Sequence, residues 1–425
     1  MEELRMNSTH QRPQRTRVVV TGCGVVSPVG HDTASFWAAL LAGRSGVRPI
    51  TRFDAGGLPV RIAGDVADFG PGPYLSRAEA RRLDRFAQFA MVAAGEAVAQ
   101  AKLDLDGPRA ERTGVLIGSG YGAGGTLQSA LRIIEQQGYD RVSPYVAAVA
   151  SPDNAAFQVA MRAKACGPSG SVSTACASGT SAIGDAAGMI RSGAVDAMIV
   201  GGSDDPINVL DIGAAARAGA LALGGDEPEQ ASRPFDRQRT GFVMGAGAAV
   251  VVLESAQHAR DRGAPILAEV AGYGATTDVH HLTAPHPEGL GARRAMHLAL
   301  ADAGAAPEEI DHVYAHGTGT KLNDTMESAS LRAVLGPHAL RTPISAIKSM
   351  TGHTIGAAGA MQAVAAVRSM QTGLVPPTIN CTDPEDPELD YVAGAARART
   401  VHTVLSNSFG FGGHNAVLVL RRWQD

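Results

Sequence analysis

Cys176 lies in Ser173-Thr174-Ala175-Cys176-Ala177-Ser178-Gly179, which reads as a strand end turning into a helix that runs to about residue 192. A sulfur at such a turn sits beside unpaired backbone N–H groups and the positive end of the helix dipole. Both favour thiolate over thiol, and the same N–H groups could hold an oxyanion. The segment alone also allows a buried structural cysteine, the usual fate of a free one. Two further segments shift the balance. Tyr314-Ala-His316-Gly-Thr318-Gly-Thr320 ends an apolar strand on a histidine, followed by a turn bearing two hydroxyls. Lys348-Ser-Met-Thr-Gly-His353 sets a lysine and a histidine five apart before a small-residue helix over 354–366. Strand-end polar groups followed by glycine turns are where α/β folds collect catalytic side chains. One cysteine and two histidines in such settings point to nucleophilic chemistry on an acyl group. A fourth segment, Asn407-Ser-Phe409-Gly-Phe411-Gly-Gly-His-Asn415, can bring backbone N–H groups close to a substrate.

The elements that must position these residues are strand-like apolar runs alternating with Ala-rich helical stretches. That alternation predicts an α/β fold with buried, mostly parallel sheets. The first strand opens at Arg17, after a polar leader over 1–16 without the apolar stretch of a signal peptide. No linker divides the chain. A faint duplication does: Gly245–Leu253 resembles Gly412–Leu420, and Asp196–Gly202 pairs with Asp311–Gly317. Two related halves, 17–260 and 261–425, are the simplest account. Ser76-Arg-Ala-Glu79 is a capping box opening a helix whose core face carries Leu83, Phe86, Ala87 and Ala90. Arg77, Arg81 and Arg85, with Arg82 beside them, form a basic stripe on another face.

Composition narrows the function. The chain has 51 glycines in 425 residues, 4% aromatics, 37 Lys+Arg against 41 Asp+Glu and a formal charge of −4. There is no basic surplus for wrapping nucleic acid. The longest largely apolar run, 243–253, falls short of the roughly 20 residues that span a bilayer. Cys23, Cys166, Cys176 and Cys381 form no CxxC pair, which argues against a zinc ribbon or disulfide scaffold and fits a reducing cytoplasm. Gly118–Gly124 lacks the spacing of a dinucleotide loop. His280, His281 and His286 raise the question of a metal, but two are adjacent and would point apart in a strand; no metal is expected.

The motifs Thr174-Ala-Cys176-Ala-Ser-Gly179, His316-Gly-Thr-Gly-Thr320, Lys348-Ser-Met-Thr-Gly-His353 and Gly410-Phe-Gly-Gly413, with Ser232-Arg-Pro-Phe-Asp236, resemble those of elongating β-ketoacyl-[acyl-carrier-protein] synthases of the KAS I/II type. The resemblance runs over nearly the whole chain. It implies a thiolase fold: two pseudo-duplicated α/β halves in a five-layer αβαβα sandwich, assembled as a dimer. It implies that Cys176 takes an acyl group from a carrier protein's phosphopantetheine, with no further cofactor. His316 and His353 would then assist decarboxylation of a malonyl-carrier, whose carbanion attacks the acyl-cysteine. By the same resemblance Lys348 is an orienting charge partnered by Glu327, and Phe411 gates the site and shares an oxyanion hole with Cys176. Thr318 and Thr320 bind pantetheine amides, and Arg81, Arg82 and Arg217 dock the acidic acyl carrier protein.

Two departures lean toward a specialised type II polyketide or polyene pathway rather than housekeeping fatty-acid synthesis. The chain reads HGTGT where fatty-acid enzymes usually read HGTST, and Tyr121 stands where relatives place a smaller group at the inner acyl pocket. The partner would then be a second copy or a non-catalytic chain-length-factor-like homologue. Being such a silent partner itself is disfavoured by Cys176, and a coenzyme A thiolase by the setting of Cys381.

Overall fold

The apolar runs become strands that bury both faces, and helices therefore cover both sides. The structure, a computed structural model, describes residues 15–70, 72–224 and 226–424. Of the leader expected over 1–16, residues 1–14 lie outside the described residues. Arg15 belongs to the fold: its guanidinium meets Asp302 at 2.6 Å.

Ten strands build the main sheet: β1 (Val18–Val26), β2 (Thr113–Gly118), β3 (Ser169–Val172), β4 (Ala197–Asp204), β5 (Gly247–Ser255), β6 (Ala268–Thr277), β7 (His312–Tyr314), β8 (Ile344–Ser345), β9 (Thr403–Gly410) and β10 (His414–Arg421). Their order is β8-β7-β9-β10-β6-β1-β5-β4-β2-β3. Read outward from the centre, β1-β5-β4-β2-β3 mirrors β6-β10-β9-β7-β8, so each strand of the first half has its counterpart in the second. The halves join edge to edge through Val19↔Glu269 and Val20↔Ala268. Within each half β2 or β7 has parallel neighbours, while the other pairings are antiparallel. The sheet is thus mixed, not mostly parallel, because β4–β5 and β9–β10 run antiparallel beside the central strands.

The duplication read from Gly245–Leu253 and Gly412–Leu420 matches β5 with β10, which are true counterparts. The second pairing does not hold. Asp196–Gly202 lies in β4, whose counterpart is β9, whereas Asp311–Gly317 lies on β7, the counterpart of β2. Both are apolar strands ending in glycine, which is why they look alike.

Helices α1 (Arg85–Ala101) and α2 (Asn154–Ala163) cover the outer face of the first half. Helices α3 (Ser178–Arg191) and, further along the chain, α7 (Ala358–Thr372) lie between the halves. Between them in sequence come α4 (Val209–Arg217), α5 (Leu290–Ala303) and α6 (Lys321–Leu335), the last two covering the outer face of the second half. This gives five layers, αβαβα. Helix α7 is apolar or small almost all round, as a helix buried between two sheets must be.

The capping box at Ser76 and Glu79 forms, with both reciprocal hydrogen bonds, but it opens only a one-turn helix, Arg77–Ala80. Asp84 then caps a second helix, α1, and that helix carries Phe86, Ala87 and Ala90 into the core. The break changes the arginine face. Arg77, Arg81 and Arg82 are exposed, but Arg85 turns inward to Asp205 (3.1 Å) and to the Val66 carbonyl (2.9 Å). Among the described residues no helix is long and apolar enough to cross a membrane.

Candidate active site

Cys176 lies in a one-turn helix, Ala175–Ala177, that leads from β3 into α3. His316 follows β7 and His353 follows β8, so the counterpart ends of the two halves deliver the site. All three line one cavity of ≈480 Å³ with Tyr121, Thr318, Thr320 and Phe411. Lys348, in the one-turn helix Lys348–Thr351, is buried directly behind them.

The hydrogen bonds define the histidine tautomers. His353 Nδ1 accepts from the Ile355 N–H (3.1 Å), so its proton sits on Nε2, a buried atom with no partner among the described residues. His316 Nδ1 lies 3.4 Å from the Lys348 ammonium, a donor, which likewise leaves Nε2 protonated. Burial, reinforced by the Lys348 charge, holds both imidazoles well below their ordinary pKa. The rings stand 5.4 Å apart, nearly perpendicular. Two neutral imidazoles thus present N–H donors to one cavity, a device for holding negative charge that develops on a carbonyl oxygen.

Lys348 does not pair directly with Glu327 as expected. Its Nζ donates to the His316 carbonyl (2.6 Å), while Glu327 accepts from the N–H groups of His316 (2.7 Å) and Gly317 (2.8 Å) and from Asn407 Nδ2 (3.0 Å). Both groups therefore act on the same backbone segment, one from each side. Burial lowers the lysine to about 8 against the pull of Glu327, and raises the carboxyl of Glu327.

The thiolate expectation for Cys176 is overturned. Burial pushes the thiol up to about 11, outweighing the Lys348 charge and the backbone N–H groups of Phe411 and Cys176 that approach the sulfur. The helix-end argument named only the N–H groups of the turn itself, of which that of Cys176 approaches the sulfur, and it omitted desolvation, which is larger. The approach of Phe411 depends on Gly410: a Cβ there would come within 2.7 Å of the Thr174 carbonyl and 3.1 Å of the Cys176 nitrogen.

The hydroxyls of Thr318 and Thr320 bond each other (2.9 Å), and Thr320 also caps α6. Their turn hangs on buried Asp324, which accepts from the N–H groups of Thr318 (3.1 Å), Gly319 (3.1 Å) and Phe235 (2.7 Å). Asn407 was visible in a motif segment and Asp324 lies four residues beyond another, yet nothing in their spacing disclosed these roles. Exposed Arg217 ends α4, next to Ala218 and Gly219 at the cavity mouth; Arg81 and Arg82 lie outside the cavity. His280, His281 and His286 sit in a loop after β6, not in a strand, where His281 Nδ1 accepts from the N–H groups of Thr283 and Ala284 (3.1 Å each). Cys23 and Cys381 are buried, but Cys166 is exposed and does not serve packing.

Comparison with known proteins identifies the family. The chain matches the β-ketoacyl synthase N-terminal domain over residues 15–259 and the C-terminal domain over 267–382. It is 44% identical over 413 residues to 3-oxoacyl-[acyl-carrier-protein] synthase 2 of Synechocystis sp., covering 97% of this chain and 99% of that protein. The corresponding protein of Coxiella burnetii is also 44% identical over 413 residues, with 97% and 100% covered. Among solved structures, the ishigamide ketosynthase/chain length factor superposes with a TM-score of 0.90 at 38% identity, over 97% of this chain and 100% of that one. A type II polyketide ketosynthase, AntDE, solved with its acyl-carrier protein AntF, gives 0.88 at 34% identity, with the same coverage. The chain belongs to the β-ketoacyl synthase family and has its thiolase fold; it is an acyltransferase of the ketosynthase type.

Proposed function

We propose that this ketosynthase extends carrier-bound acyl chains by decarboxylative Claisen condensation, in a type II polyketide or polyene pathway. The observation that carries the chemistry is that His316 and His353 line one cavity with Cys176, each with Nδ1 facing a donor so that Nε2 carries the proton. The sulfur of Cys176 attacks the thioester of an acyl-carrier, forming a new thioester. The carrier's sulfur departs with the thiol proton. A malonyl-carrier then enters and loses carbon dioxide. The electron pair of the broken C–C bond becomes an enolate, whose oxygen the two Nε2–H groups hold. Its α-carbon attacks the acyl-cysteine carbonyl. The N–H groups of Cys176 and Phe411 hold that oxyanion until Cys176 thiolate is expelled and reprotonated from solvent. The product is a β-ketoacyl-carrier two carbons longer.

On this reading Thr318 and Thr320 receive the pantetheine arm, Arg81, Arg82 and Arg217 receive the acidic carrier, and Phe411 gates the second substrate. No cofactor beyond the carrier's phosphopantetheine takes part, and the reaction belongs to the cytoplasm. The functional unit is a pair, either two copies or this chain with a chain-length-factor-like homologue; the halves 17–260 and 261–425 supply the nucleophile and the two histidines. Tyr121, in the cavity wall, supports the polyketide assignment by shortening the acyl space. A second reading, the elongating enzyme of fatty-acid synthesis, is favoured by the 44% identity to the synthase 2 proteins.

Intact-protein mass spectrometry after incubation with acyl-carrier proteins of graded chain length, then malonyl-carrier, tests this. The expected result is a mass gain lost in Cys176→Ala and cleared by malonyl-carrier with an elongated product. No acylation, alone or with a co-expressed homologue, would overturn it.

A further inference from the structure

Asp204 ends β4 and is fully buried. Its Oδ1 accepts from Ser119 Oγ (2.6 Å) and the Tyr121 N–H (3.0 Å); its Oδ2 accepts from the N–H groups of Gly120 (2.8 Å) and Gly356 (2.7 Å). Ser119 Oγ in turn accepts from the Gly122 N–H (2.9 Å), so the whole turn over 119–122 hangs on one carboxylate. No arginine or lysine pairs with Asp204 among the described residues, so these donors alone compensate the buried charge, which makes them strong.

The four donors come from both halves of the molecule. Ser119, Gly120 and Tyr121 follow β2 of the first half, and Gly356 follows β8 of the second. Only glycine allows the two segments to approach. A Cβ on Gly356 would lie 2.6 Å from Asp204 Oδ2 and 3.0 Å from the Gly120 nitrogen, and one on Gly120 would lie 2.7 Å from Ile355 Cγ2. The side chains beside these anchored backbones, Tyr121 and Ile355, are cavity walls next to Cys176.

We infer that Asp204 is a positioning residue for acyl-chain selection: it clamps the Tyr121 wall of the first half against the Ile355 wall of the second and so sets the width of the acyl space. The inference rests on the ketosynthase reading above. Asparagine cannot replace the carboxylate. Wherever its Nδ2 points, it meets the N–H of Tyr121 or those of Gly120 and Gly356, and at least one wall loses its anchor.

The test loads short, medium and long acyl groups from carrier protein onto wild type, Asp204→Asn, Tyr121→Ala and the double variant, and reads the fraction acylated by intact mass. Asp204→Asn is expected to raise the ratio of long-chain to short-chain loading by roughly tenfold, the scale set by a few methylenes in an apolar pocket. In the Tyr121→Ala background it should add clearly less than it does in wild type, because part of the clamp acts through that ring. General loss of folding would instead depress loading equally at every length. An unchanged profile, or a shift that adds fully to that of Tyr121→Ala, would overturn the inference. Should Asp204→Asn fail to fold, Ser119→Ala removes one donor and leaves the carboxylate; a smaller shift in the same direction is expected, and none would overturn it. Failure of wild type to acylate at all strikes the ketosynthase reading instead.

Discussion

Ala175 and Ile355 hold the same left-handed backbone, φ +49° and +50°, at matching points of the two halves. Each opens a one-turn helix that leads into one of the two central helices, α3 and α7. The two turns pack against each other beside Asp204. Left-handed backbone costs a non-glycine residue about 1–2 kcal/mol, and an isoleucine there is a true outlier. The strain sits beside both Cys176 and His353, where it is held by the packing of the two halves.

The two positions should therefore answer glycine differently. Ala175→Gly relieves strain and loses one methyl, less the greater freedom of glycine in the unfolded chain, for a net gain of about 0.5–1 kcal/mol. Ile355→Gly relieves the same strain but empties a buried wall, for a net loss of about 1–3 kcal/mol. Thermal unfolding of both variants checks this, and equal shifts would contradict it.

Each imidazole Nε2–H should matter for decarboxylation and not for loading. His316→Ala and His353→Ala are expected to slow carbon dioxide release from malonyl-carrier by about 10²–10³-fold, the usual effect of deleting one oxyanion donor. Acylation of Cys176 should persist. Radiolabelled carbon dioxide release and intact mass read the two steps separately; loss of both steps together would argue against the division of labour.

Lys348 should give the reaction its alkaline limit. Its pKa lies at about 8, below that of a free lysine, so it carries its charge beneath that pH and loses it above. The imidazoles are held well below their usual values and stay neutral throughout. Decarboxylation should run flat from about pH 6 to 7.5 and fall above about 8. In Lys348→Ala the rate should be lower and the limb near 8 should vanish. A persistent limb would assign that titration to another group.

The arginines should divide by burial and not by spacing. Arg81→Glu with Arg82→Glu is expected to leave the fold intact and raise KM for carrier-bound substrates about tenfold, an effect that fades with salt. Arg85→Ala removes a guanidinium bonded to Asp205 and Val66 and should cost about 2 kcal/mol of stability. Steady-state kinetics against ionic strength and thermal unfolding separate the two. A large KM effect from Arg85→Ala without destabilisation would instead add it to the docking face.

What was legible in the sequence was local. Glycine turns after apolar strands marked the ends where Cys176, His316 and His353 emerge, the Ser76–Glu79 capping box formed as read, and β5 matched β10 because a glycine turn and an apolar run repeat. Such signals depend on a few neighbouring residues, so spacing alone discloses them.

Tertiary structure decided the rest, because burial, strand order and charge partners are set by residues far apart in the chain. It stopped the helix at Ala80 and restarted it at Asp84, which turned Arg85 toward Asp205. It made β9, and not β7, the counterpart of β4 in the other half. It pushed the Cys176 thiol up, because desolvation by the surrounding layers outweighs the Lys348 charge and the N–H groups of Phe411 and Cys176. Asp204, which meets Gly356 across 152 positions of chain, carries no mark in its own segment; only the folding of one half against the other makes it an anchor.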